Sequence, residues 1–98
     1  MGSELDIEHL DEGIAPIVKL FIESGIKTFE SCEGGDGHEF QKPIVRFLGN
    51  RAEGFKAYAI AIFNGYKVSE LRRYWVVEDG DLTGPRWEMT FVPKPSPR

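Results

Sequence analysis

The chain of 98 residues holds a single cysteine and only two histidines. One cysteine excludes an intramolecular disulfide framework and a four-cysteine zinc site. Long apolar runs are also lacking. The longest, Tyr58 to Phe63, is far short of the length that spans a bilayer. No basic segment followed by an apolar stretch opens the chain, so the expectation is an intracellular, cytoplasmic protein with no membrane partner. A domain-wide basic excess is missing as well: net charge is −4, which argues against non-specific nucleic-acid binding. What is present is ordinary for one globular domain, with 41% hydrophobic, 12% aromatic and 29% charged residues.

The charge is segregated. Residues 1–12 carry Glu4, Asp6, Glu8, Asp11 and Glu12 with no lysine or arginine, whereas residues 42–73 carry seven basic side chains against Glu53 and Glu70. Residues 1–10 show no periodicity and read as an acidic arm, residues 11–92 as a single domain, and residues 93–98 as a proline-rich tail that cannot join a ladder.

Within the domain, Ile14, Ile17, Val18, Phe21 and Ile22 recur at helical spacing. Asp11 is available as a cap, Pro16 belongs in the first turn, and Ser24-Gly25 stops the helix, giving a span near 13–24. Ile26–Cys32 reads as a strand with imperfect alternation, and Pro43–Leu48 as a second. Asn50 with Glu53 resembles a capping box and opens a helix over 51–64, with Phe55, Tyr58, Ala59 and Ile62 as its inner stripe. Val68–Val77 reads as a long strand, irregular near Ser69-Glu70. Asp79-Gly80-Asp81 and Thr83-Gly84-Pro85 read as turns, and Trp87, Met89 and Phe91 alternate as the inner side of a last strand. The order is αββαββ. Two helices on one face of a mostly antiparallel four-stranded sheet, an α+β two-layer sandwich, follow. The two halves resemble each other around Gly25 and Gly65, as an internal duplication or as recurrent helix-glycine-strand chemistry.

Chemistry concentrates in Thr28–His38, TFESCEGGDGH. Glycines let successive backbone N–H groups converge, because no Cβ blocks the approach and positive φ is cheap there. Ser31, Cys32, Gly34, Gly35, Gly37 and His38 are therefore candidate ligands for a small anion, and Arg46, Arg72 and Arg73 are candidates to complete the site with charge. A bulky side chain at Gly35 is expected to close such a nest. The spacing is not that of a P-loop, and Glu33 and Asp36 have to point away from a bound anion. Two other readings stay open at this point. One is a hydrolase with Cys32 as nucleophile and His38 as base, or with a metal on Cys32, His38 and Asp36 or Glu39. The other is an interaction module whose acidic arm engages a host protein. No motif calls for a cofactor. Trp75 and Trp87 read as core, with the strand arginines paired to Glu78 and Glu88 as the plain alternative to a binding role. A chain this short, with two tryptophans, is also expected to self-associate as a homodimer.

The run GIKTFESCEGGDGHEFQKPIVRFLGNRAEGF, with GPRWEMTF near the end, resembles a set of small accessory proteins of phage, prophage and bacterial genomes that share an SCxGGxGH-type loop. The likeness covers about residues 11–92 and rests on Thr28, Ser31, Cys32, Gly34, Gly35, Gly37, His38, Pro43 and Trp87. It implies a phage-type accessory protein acting in host cytoplasm, with sequestration of nucleotide signals as an anti-defence role by analogy. It implies no reaction.

Overall fold

A computed structural model describes residues 14–35, 37 and 42–93. Helix α1 (Ala15–Glu23) leads into strands β1 (Lys27–Cys32) and β2 (Ile44–Leu48), and helix α2 (Arg51–Phe63) into strands β3 (Val68–Glu78) and β4 (Asp81–Phe91). The strands form one antiparallel sheet in the order β1-β2-β4-β3. Each half thus supplies a helix, an edge strand and a central strand. Both helices lie on the same sheet face. Ile17, Val18 and Phe21 of α1 and Ala57 and Ala61 of α2 share one core with Val45, Phe47, Trp87, Met89 and Phe91. The α+β two-layer sandwich is what forms.

The two helix ends are built alike. The N–H of Ile26 donates to Phe21 O at 2.9 Å and that of Tyr66 to Ala61 O at 3.0 Å. Gly25 and Gly65, each at φ +85°, donate to Ile22 O and Ile62 O. These are the paired bonds of a helix closed through a left-handed residue, a conformation glycine reaches without a Cβ penalty. The resemblance of the halves in sequence is therefore a resemblance of their connections.

Several elements depart from the sequence reading. α1 begins at Ala15, with Ile14 at the N-cap making no side-chain cap bond and Pro16 in the first turn. Asp11 lies outside the described residues, as do the acidic arm and residues 94–98. The inner face of α2 is Gly54, Ala57 and Ala61, and Phe55, Tyr58 and Ile62 point outward. Trp87 causes the rotation. Its Nε1 donates to Gly49 O and Asn50 O at 3.0 and 3.1 Å, and its ring lies where a Cβ on Gly54 would sit. The indole fills the space under the first turn, so the helix must turn small residues toward the sheet. Asn50 caps α2 as expected, accepting from the N–H of Glu53 at 3.0 Å.

Thr83, Gly84 and Pro85 lie inside β4 rather than in a turn, and Asp79-Gly80 alone makes the β3–β4 turn. Gly84 and Pro85 together oppose Trp75, a bulge that gives proline a place outside the regular ladder. β2 pairs with β4 only as far as Arg86, so the ribbon beyond projects past the rest of the sheet. Trp75 sits there, 51% exposed, while Trp87 is core. The irregularity expected near Ser69-Glu70 is a register shift between Val68 and Glu70.

Candidate functional site

Alternation along the strands sends Val45, Phe47, Trp87, Met89 and Leu71 toward the helices and their neighbours to the opposite face. Register then places four charges in one row across the sheet: Glu30 pairs with Arg46, Arg46 with Glu88, and Glu88 with Arg72. Signs alternate from edge to edge. Arg46 Nη1 donates to Glu30 Oε1 at 2.7 Å, and its Nε and Nη2 meet Glu88 Oε2 at 2.9 and 2.7 Å. Arg72 donates through Nε and Nη2 to Glu88 Oε1 at 3.1 and 2.6 Å. Each oxygen of Glu88 thus serves one guanidinium.

The Glu88 side chain is only 7% exposed. Burial works against its charge, but hydrogen bonds from Arg72 and Arg46 outweigh burial and hold the carboxyl below the usual carboxylate range. Burial also opposes the charge on Arg46, and Glu88 and Glu30 again outweigh it, so the guanidinium titrates above its ordinary value. The hydrogen bond to Glu88 raises Arg72 in the same way. The next row holds Tyr74, whose ring has the Arg46 and Arg72 guanidinium carbons at 5.6 and 6.0 Å from its centroid. Arg86 lies over Phe29 at 5.7 Å and pairs with Glu78 at 3.4 Å. The irregular alternation of the first strand has its reason in a register shift between Thr28 and Glu30, which gives Phe29 the same face as Glu30.

One row toward the β1–β2 connection, Cys32, Ile44 and Thr90 are aligned and buried. Cys32 Sγ accepts the N–H of Gly34 at 3.4 Å. Gly34, Gly35 and Gly37 have φ of +80°, +104° and +84°, so the chain turns repeatedly through glycine-only conformations. A Cβ on Gly34 would stand 2.5 Å from the carbonyl carbon of Lys42, so the neck of the loop closes on the Lys42-Pro43 backbone. At Gly35 no described atom lies within 4 Å of such a Cβ. A side chain at Gly35 would therefore enter open space, whereas one at Gly34 would strike the chain's own backbone.

The structure brings Cys32, Arg46 and Arg72 to one sheet face, with Gly34, Gly35 and Gly37 beyond the end of β1. It sets two candidates apart. Ser31 pairs with Val45 on the helix-facing side, and Arg73 stacks over the Trp87 ring at 5.2 Å on that side too. Strand parity separates both from Cys32. His38, with Asp36 and Glu39, lies outside the described residues. Glu30 and Lys42 are not singled out by the sequence, whereas strand parity does put Tyr74 on the side of Arg72. The parity of Glu30 with Cys32, across a hairpin from Arg46, was the available signal. Among the described residues no group of three or more His, Cys, Asp or Glu side chains could hold a metal ion, and no helix is long and apolar enough to cross a membrane. A groove of about 350 Å³ lined by Ile22, Gly25, Ile26, Lys27 and Thr28 lies at the α1–β1 junction and includes none of the candidate residues.

Comparison with protein-family models, with curated proteins and with solved structures returns no match.

Proposed function

We propose that the protein is a non-enzymatic binding protein for a small phosphate-bearing ligand of the nucleotide class. The observation that carries this reading is the loop after β1, where Gly34, Gly35 and Gly37 all take positive φ and the neck is locked against Lys42-Pro43. Backbone amides exposed by such turns form a concavity for anionic oxygens. Lys42, whose backbone lies against Gly34, is exposed and adds a positive charge at the foot of the loop.

Arg46 and Arg72 act as oriented groups rather than as a free cationic patch. Glu88 fixes both planes, and Tyr74 offers an aromatic face beside them. This suits a ligand that has a planar ring as well as a phosphate. The buried thiol of Cys32 serves the loop by accepting from Gly34. The role we assign is that of a phage-type accessory protein sequestering such a ligand in the cytoplasm, on the resemblance given above.

Thermal unfolding in the presence of nucleotides and cyclic dinucleotides tests the reading. A ligand at 100 times its Kd adds about 2.7 kcal/mol of stability and is recovered unchanged after denaturation. No shift with any phosphate-bearing compound contradicts binding. A ligand recovered cleaved contradicts the non-enzymatic role and returns the reading to Cys32 chemistry, which Cys32→Ser would then abolish.

A further inference from the structure

Helix α2 turns its small residues inward, and its larger apolar residues are left in water. Phe55 is 59% exposed, Tyr58 and Ile62 41% each, and Phe63 84%. Taking ~200 Å² for a fully exposed side chain of this size, the four present on the order of 400 Å². A patch of that size is at the scale at which surface apolar area on a monomer is commonly functional. From this surface, independently of the ligand reading above, we infer that the outward face of α2 is the contact between two copies of this chain.

The spacing identifies the occupant. On the side of α2 turned away from the buried Gly54, Ala57 and Ala61 lie Ala52 and Ala59, with Phe55 and Ile62 beside them on one flank, and the four are spaced three, four and three residues apart. That is the seam of a helix that packs on another helix. Small and large residues alternate along it. When two such helices cross antiparallel about a two-fold axis near residue 57, Phe55 meets Ala59 of the second copy and Ala52 meets Ile62. Every large side chain then has an alanine opposite it. A parallel pairing instead sets Phe55 on Phe55 and alanine on alanine, leaving a clash beside a void. The seam is thus complementary in volume to itself in one orientation, which is what a two-fold interface requires.

Charge does not oppose the contact at its centre. Lys56, which flanks the seam, directs its ammonium to Ser24 O at 2.8 Å, toward the end of α1 and away from the seam. With Phe55 and Ile62 in the seam and Tyr58 and Phe63 flanking it, two copies remove at most roughly 800 Å² through the four large residues, and the seam alanines bring the total toward the lower bound of specific interfaces, about 1,000 Å². An interface of that size is of the weak, transient kind.

Sedimentation equilibrium of the full chain at concentrations up to about 100 µM is the test. The expected mass is twice the 11.1 kDa of one chain, falling to 11.1 kDa on dilution. Ala59→Glu and, separately, Phe55→Glu introduce a carboxylate into the seam at positions outside the core, and each shifts the equilibrium to monomer at least 10-fold with the far-UV circular dichroism unchanged. A wild-type mass of 11.1 kDa throughout overturns the inference. So does a dimer that persists in whichever of the two variants keeps the wild-type spectrum.

Discussion

Two nitrogens of Arg46, Nε and Nη2, converge on the single oxygen Oε2 of Glu88, and the other oxygen of that carboxylate is held by Arg72. A carboxylate buried to this degree keeps its charge because each of its two oxygens is met by a guanidinium group. Glu88→Gln removes the charge and turns an acceptor into a donor facing Arg46 or Arg72. We expect a loss of about 2 kcal/mol, less than the ~3–5 kcal/mol of a fully buried broken pair, because Arg72 is half exposed and its charge is recovered by water. Urea denaturation measures it. An unchanged midpoint means that the row carries no stability.

The same pair fixes a pH dependence. Glu88 titrates below the usual carboxylate range in the native state, so the unfolded chain binds its proton at higher pH than the folded chain does. The stability it contributes is complete above the ordinary carboxylate range and is lost as the pH falls through the depressed native value. Chemical denaturation across that acid range is expected to show stability falling with pH in the wild type and a shallower fall in Glu88→Gln. Parallel acid limbs contradict the assignment.

Gly54 lies within α2, where replacement by alanine ordinarily gains about 1 kcal/mol from helix propensity. Here the added Cβ overlaps the Trp87 ring, which is anchored by its two hydrogen bonds to Gly49 and Asn50. Gly54→Ala is therefore expected to destabilise by about 1–3 kcal/mol, with altered tryptophan fluorescence. Stabilisation by this substitution contradicts the account of why α2 is rotated.

Gly34 and Gly35 separate backbone strain from steric closure. Both have positive φ, so alanine at either costs about 1–2 kcal/mol. Only at Gly34 does the Cβ also meet the Lys42-Pro43 backbone. Gly34→Ala should be the more destabilising of the two and should weaken binding of a phosphate-bearing ligand by at least 10-fold. Equal effects on stability contradict the closed neck.

The elements legible in the sequence were those whose signal is local. The helix-glycine-strand junctions at Gly25 and Gly65, the Asn50 cap and the alternation of Trp87, Met89 and Phe91 all depend on neighbours within a few residues. The inner face of α2 was misread because the larger apolar side chains of a helix ordinarily mark its buried side. Which side is buried here is decided by Trp87, 33 residues beyond Gly54. The site divides in the same way. Pairing of the strand arginines with Glu78 and Glu88 could be read as an alternative, since parity allows it. The row from Glu30 to Arg72 depends on the order β1-β2-β4-β3, in which β4 enters between β2 and β3, a pairing between residues far apart in the chain. Ser31 was grouped with Cys32 by proximity along the chain, although adjacent strand residues face opposite ways.

The measurement that bears most directly on the proposed function is a backbone amide NMR titration of the full chain with a nucleotide, followed residue by residue. Hydrogen bonding of phosphate oxygens to the loop predicts the largest shift changes at the amides of Gly35 and Gly37, with smaller ones at Lys42, and their loss in Gly34→Ala. Saturable binding whose largest changes fall elsewhere, or no change at any loop glycine with every phosphate-bearing compound tried, contradicts the account.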